Sequence, residues 1–172
     1  SYGDTYPLYM GAIGMTYEQA GHGRAGLGII NGEDIELTLV DRVAHHTTTG
    51  LSTIEVASQQ AASLNSEFKK FFKNDNLKYK SFVLKGNSDN LKSLTDMLDR
   101  HEIKYGYATG GSVSGFNYTD TKKGIMDAKG ALVVSTNQPK GKMVQVLFEP
   151  NAALSTPLTY DITAWSLPYA FG

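Results

Sequence analysis

The hydrophobic and polar positions of this sequence change rhythm along its length. Residues 1–24 are rich in Gly and Tyr and hold no sustained helical period, but Met10-Gly-Ala-Ile-Gly-Met-Thr-Tyr17 is a continuous apolar run that ends at Glu18. Short runs of this kind suit interior strands of mixed or parallel sheets, so a buried strand is predicted there. Gly21 and Gly23 then interrupt the backbone. Residues 25–30 and 33–39 flank Asn31-Gly32, the strongest short-range signal for a type I′ hairpin. In the second arm Ile35, Leu37 and Leu39 alternate with Glu36 and Thr38, as in a half-buried strand.

From Asp41 the period changes. Val43, Thr47, Ile54, Ala57, Ala61, Leu64, Phe68 and Phe71 recur mainly at spacings of three and four, with Gly50 in the gap. The spacing predicts one long core-packing helix, capped by Asp41 and ending near Phe72. Gly50 costs roughly 1 kcal/mol relative to Ala in a helix interior, which makes it the expected place for a kink or break. Lys69, Lys70 and Lys73 suit the negative end of the helix dipole.

Lys73-Asn74-Asp75-Asn76 is polar and turn-forming and marks the expected domain boundary. Residues 1–73 therefore read as one part and 79–172 as a small α/β domain. Ser81 to Leu84 reads as a strand; Ser88 or Asp89 caps a helix with apolar face Leu91, Leu94, Met97 and Leu98; Ile103 to Ala108 reads as a second strand. Gly110, Gly111 and Gly115 mark a mobile loop, and Ala131 to Ser135 a further strand. Asn137-Gln138-Pro139 resembles a helix start with Pro in the first helical position. Met143, Val144, Leu147 and Phe148 follow at helical spacing, though the same run suits a strand. The fold class expected is α/β.

Charge is balanced, 16 Lys and Arg against 17 Asp and Glu, so there is no basic excess of the kind a general nucleic-acid binder carries. The 41% hydrophobic fraction is enough to bury a core. No apolar run approaches the roughly 20 residues needed to cross a bilayer, so no membrane span is expected. The absence of cysteine removes disulfides, thiolate zinc sites and cysteine nucleophiles together. Residue 1 is Ser, without a basic n-region or apolar h-region behind it, and the chain ends at Ser-Leu-Pro-Tyr-Ala-Phe-Gly; a piece of something longer is expected.

Candidate chemistry is sparse. His45 and His46 are adjacent, so on a helix they point about 100° apart and cannot chelate one ion together. His22 and His101 have no partner at metal-ligand spacing, and surface or capping roles suit them. The Gly110–Gly115 stretch lacks the Lys and the following helix of a phosphate loop, and no Gly-x-Ser-x-Gly elbow occurs. Gly21-His22-Gly23-Arg24 offers at most an anion cradle. Glu18 sits at the end of an apolar run. A partly desolvated carboxylate there has its pKa raised toward the range useful to a general base; the alternative is a salt-bridge or hydrogen-bond partner.

The run Ser1-Tyr-Gly-Asp-Thr-Tyr-Pro-Leu-Tyr-Met-Gly-Ala-Ile-Gly-Met-Thr-Tyr-Glu18-Gln resembles the last active-site segment of the zinc carboxypeptidases of the M14 family. There a Gly-containing loop leads into a buried strand that ends in an aromatic residue and the catalytic glutamate, as Tyr17-Glu18 does. Gly23-Arg24-Ala25-Gly26, the segment from Asp41 through His45-His46 to Glu55, and the closing Tyr160–Pro168 stretch resemble a bacterial M14-like subgroup that carries an extra domain after the peptidase. The implied fold is the end of an M14-type mixed-sheet α/β peptidase domain followed by a small α/β accessory domain. Asp161 and Trp165 read as tail anchors packing back on the body.

The resemblance implies a catalytic role for Glu18, as the general base that takes the water proton and delivers it to the leaving amine. It places Asp4 near the substrate side-chain pocket, where a carboxylate favours Lys or Arg at the peptide C-terminus. It implies zinc in the parent enzyme, but the family's His-x-x-Glu zinc motif does not occur here, and no metal is expected in this chain. The arginines and the tyrosine that hold the substrate carboxylate would lie before residue 1. The expected function is thus a fragment of a metallocarboxypeptidase, inactive alone, with a peptide substrate and the rest of the peptidase domain as partners. A periplasmic or secreted location follows by the same resemblance. The alternative is a noncatalytic binding or interaction module derived from a peptidase. An uncovered sheet edge and apolar face would be expected to drive homo-oligomerisation or leave residues 1–40 incompletely ordered.

Overall fold

The computed structural model describes residues 3–18, 28–151 and 166–171. The chain belongs to the mixed α/β class, with helices and small antiparallel sheets. It divides into two compact units, Ser1–Lys70 and Phe71–Gly172.

The first unit opens with a single helical turn, α1 (Thr5–Tyr9), where no helical period was expected. The chain then reverses: the Met10 and Ala12 amides both donate to the Pro7 carbonyl, at 2.9 and 3.0 Å, and Gly11 takes a φ of 81°. Residues 12–18 have no regular structure, so the buried strand expected over Met10–Tyr17 is not formed. A strand is stable only when neighbours pair with it, and this run has no strand partner among the described residues. Ile13, Met15 and Tyr17 are exposed instead.

The Asn31-Gly32 hairpin is present, with β1 (Ile29–Ile30) antiparallel to β2 (Glu36–Leu37) in the register Ile29↔Leu37. Its turn is not the expected two-residue type. The Asn31 side-chain carbonyl accepts from the Glu33 and Ile35 amides at 2.9 and 3.0 Å, and Asp34 adopts a φ of 60°, so the side chain organises a wider loop. Residues 25–27 of the first arm lie outside the described residues, as do Gly21, His22, Gly23 and Arg24.

Helix α2 runs Leu39–Gln59 and α3 Ala61–Phe71. The cap is Thr38, not Asp41; Asp41 is the third residue of the helix and closes a reciprocal capping box with Thr38. The break falls at Gln60, and Gly50 lies inside continuous helix. The expected burial also differs: Val43, Ile54 and Phe68 are exposed. Of the described residues in this unit only Arg42 is buried.

The second unit holds the apolar core. Strand β3 (Ser81–Leu84) leads into α4 (Ser88–Arg100), whose cap is not Ser88 or Asp89 but Asn87, its side chain accepting from the Asn90 amide at 2.8 Å. The expected apolar face is the one turned inward: Leu94 and Leu98 are buried, Leu91 and Met97 half-buried. The next strand is shorter than expected, β4 (Gly106–Tyr107), with Ile103 buried before it. The Gly110–Gly115 segment is not a mobile loop. Most of it belongs to β5 (Ser112–Asn117), which forms a long hairpin with β6 (Lys122–Asp127).

Strand β7 (Leu132–Ser135) lies between β3 and β4, antiparallel to both. The β3-α4-β4 unit is therefore split by a strand arriving later in the chain. Helix α5 (Gly141–Phe148) resolves the helix-or-strand ambiguity, and starts two residues beyond Pro139. Its inner face, Met143, Val144 and Phe148, meets Phe82 of β3; the Phe82 and Phe148 rings stack at 5.3 Å and 27°. Leu98, Leu132 and Val134 complete a fully buried centre. Helix α6 (Leu167–Phe171) ends the described chain, with Asp161 and Trp165 outside the described residues. No helix among the described residues is long and apolar enough to cross a membrane.

Candidate functional site

Asp4 and the Thr16–Tyr17 pair that precedes Glu18 gather around the turn that follows α1. Asp4 is half-buried and its carboxylate accepts from the Thr16 hydroxyl at 2.9 Å and, more weakly, from Thr5 at 3.4 Å. The Thr16 bond spans twelve residues and ties the stretch that leads to Glu18 back onto the head of α1. Gly14 makes this return possible, because a Cβ there would stand 1.9 Å from the Asp4 carbonyl oxygen. On the other side, the Tyr17 hydroxyl lies 2.6 Å from both Met15 Sδ and Thr53 Oγ1 of α2. Asp4, Pro7, Ile13, Gly14 and Thr16 line an open depression of about 620 Å³.

Glu18 follows this stretch immediately, on irregular chain, and is exposed. The partly buried strand end expected around it is therefore not formed. What the structure does bring together is Asp4 and the Thr16–Tyr17 pair that precedes Glu18. Asp4 has its oxygens engaged by hydroxyl donors, an arrangement that fixes the carboxylate's direction while leaving it half-open.

The histidines do not converge. His45 and His46 are exposed on α2, with the His45 carbonyl accepting from Thr49 Oγ1 at 2.8 Å, and His101 is the C-cap of α4. His22 lies outside the described residues. Among the described residues no group of three or more His, Cys, Asp or Glu side chains is placed to hold a metal ion. The buried Arg42 leaves its Nε and one terminal nitrogen without a hydrogen-bond acceptor.

The second unit carries a half-open cleft that reading the sequence missed. It measures about 610 Å³ and is lined by the 78–86 segment containing β3, by the β5–β6 hairpin, by Asn90, Leu91 and Leu94 of α4 and by Leu167 and Pro168 of α6. Tyr118, on its wall, donates its hydroxyl to the Phe148 carbonyl, and burial pushes its phenol well above the ordinary tyrosine value. The signal was present in the sequence: Asn117-Tyr-Thr-Asp120 is a turn former between two stretches of mixed apolar and polar residues. Compared with protein-family models, with curated proteins and with solved structures, the chain matches none of them.

Proposed function

We propose that this chain is the C-terminal part of an M14-like zinc carboxypeptidase that removes C-terminal residues from peptides outside the cytoplasm. In this reading Glu18 is the general base and Asp4 selects a basic C-terminal side chain. The observation that supports it is the uncovered apolar surface of the first unit. Among its described residues no apolar side chain is buried, while Ile13, Met15, Tyr17, Val43 and Ile54 are all exposed. Apolar side chains exposed in this number call for a covering partner, and the rest of a peptidase domain is the partner the sequence resemblance implies. The Asp4–Thr16 bond is consistent with the same reading, since it sets the selecting carboxylate beside the segment that carries the base.

The described residues do not by themselves make a zinc site. The ligands, the arginines for the substrate carboxylate and the clamping tyrosine are assigned to the rest of the peptidase domain. Residues 79–172 serve as an accessory domain.

The test is made on the longer parent protein. Bound zinc and release of C-terminal Lys from a peptide are expected, and Glu18→Gln should lower the rate by about 10²–10⁴-fold with zinc content unchanged. Asp4→Asn should narrow the preference for Lys over Phe. A parent that binds no zinc and cleaves nothing would favour the noncatalytic module instead. Zinc retained stoichiometrically by the present chain after dialysis would overturn the assignment of the ligands elsewhere.

A further inference from the structure

We propose that the cleft between β3 and the β5–β6 hairpin is a docking groove for an extended, acidic segment of a partner protein, which adds to β3 as a further strand. The proposal is independent of the peptidase reading. Three features of the second unit carry it.

The first is an open sheet edge. The Thr136 amide donates to the Lys80 carbonyl at 3.0 Å, directly opposite in the register that continues through Ser81↔Ser135. Bonded and non-bonded pairs alternate in an antiparallel ladder. Phe82 and Leu84 therefore spend their main-chain groups on β7, and Ser81 and Val83 turn theirs the other way. With the order β3-β7-β4, no strand among the described residues occupies that side. Outward amides and carbonyls at two-residue intervals are what an added strand requires.

The second is the shape and lining of the space beside that edge. The hairpin lines it together with residues of α4 and α6, and Gly115 of the hairpin has nothing within 4 Å of where a Cβ would stand. Tyr79, Phe116 and Tyr118 supply aromatic surface for alternate side chains of a guest strand. At about 610 Å³ the cleft falls within the ordinary range for ligand sites, roughly 300–1,000 Å³.

The third is charge. Lys78, Lys80 and Lys85 line the cleft, and no Asp or Glu is among its described lining residues. Lys80 Nζ donates to the Asp75 carbonyl at 3.1 Å, so its charge is not cancelled by that contact. Lys78 sits over the Tyr79 ring at 5.1 Å and feels Glu149. Lys85 pairs with Asp127 at 3.5 Å, a pair open to solvent and so exchangeable for a guest carboxylate. Lysines on a strand edge beside aromatics also suit single-stranded nucleic acid, but unpaired main-chain donors and acceptors favour a peptide.

The test measures fluorescence anisotropy of a labelled peptide of alternating Glu and Val with the 172-residue chain. Saturable binding that weakens with added salt is expected, with none for the matching Lys-Val peptide. Lys80→Glu should weaken binding by about tenfold or more, and so should Val83→Pro, which removes an outward amide at a position where an edge strand tolerates proline. If Val83→Pro does not fold by circular dichroism, a peptide N-methylated at alternate residues gives the same readout with the native chain. Equal binding of the Lys-Val peptide, indifference to both Lys80→Glu and N-methylation, or displacement by oligothymidylate would each overturn the proposal.

Discussion

Asp41 and Thr38 hold each other at the start of α2: one carboxylate oxygen of Asp41 accepts from the Thr38 hydroxyl at 2.6 Å and from the Thr38 amide at 2.9 Å, and the Thr38 hydroxyl oxygen accepts from the Asp41 amide at 3.3 Å. The Thr38 hydroxyl bond, then its amide bond, hold the Asp41 carboxyl below the usual carboxylate range. A carboxyl with a depressed folded pKa stabilises the fold at pH values above its unfolded pKa. That contribution fades as pH falls through the folded value. The carboxyl carbon of Asp41, followed by NMR, should therefore titrate below a free aspartate. Asp41→Asn should remove the acid-dependent part of helix loss measured by circular dichroism.

Two glycines should respond in opposite directions to Ala. Gly50 lies inside α2 with nothing within 4 Å of its missing Cβ, so Gly50→Ala should stabilise the chain by about 0.5–1 kcal/mol. Gly141 begins α5 and is buried, and a Cβ there would stand 2.0 Å from the Thr136 carbonyl oxygen and 2.7 Å from Asn74 Nδ2. Asn74 in turn donates to the Gln138 carbonyl at 2.6 Å, so the backbone around Gly141 cannot give way without breaking that tie. Gly141→Ala should therefore destabilise, by about 1–3 kcal/mol in urea unfolding.

What the sequence disclosed depended on where each apolar stripe finds its partner. Ser81–Leu84 and the face of α4 were legible because the surfaces that cover them lie in the same chain, β7 and α5 against β3 and α6 against α4. The stripe of α2 and the Met10–Tyr17 run carry equally strong apolar patterns, yet both stay exposed, since periodicity reports which side is apolar and not what covers it. Gly110, Gly111 and Gly115 suggest a loop on composition alone, whereas Gly115 pairs opposite Gly124 within the regular ladder of the β5–β6 hairpin. The Asp4–Thr16 bond is a tertiary meeting with no local signature to announce it, and of the cleft beside β3 the sequence announces only the Asn117–Asp120 turn on one wall.

Tyr118 should behave as a phenol locked in its neutral form. Its hydroxyl donates to the Phe148 carbonyl and burial pushes its ionisation upward, so the folded state disfavours the phenolate. A raised folded pKa gives stability that is fully present below the unfolded tyrosine value and is lost as pH rises beyond it. In a spectrophotometric titration of the folded chain one tyrosine should ionise after the others, and Tyr118→Phe should abolish that late step. The same variant leaves the Phe148 carbonyl without this donor and should cost about 1–3 kcal/mol.

The contrast between α2 and the core of the second unit gives the sharpest test of what covers the first. Val40, Val43, Leu51 and Ile54 share one side of α2, with Val40 76% and Ile54 68% exposed. Phe148 is fully buried against Phe82. Phe148→Ala should therefore cost about 3–5 kcal/mol in denaturant unfolding. Val40→Ser and Ile54→Ser should each stay within about 0.5 kcal/mol of the parent chain, because they remove no buried contact. They should also reduce concentration-dependent self-association in sedimentation velocity, since an uncovered apolar face recruits a second copy when its proper cover is missing. If Ile54→Ser instead unfolds the chain as Phe148→Ala does, this side of α2 is already covered, and the reading of the first unit as part of a larger domain loses its support.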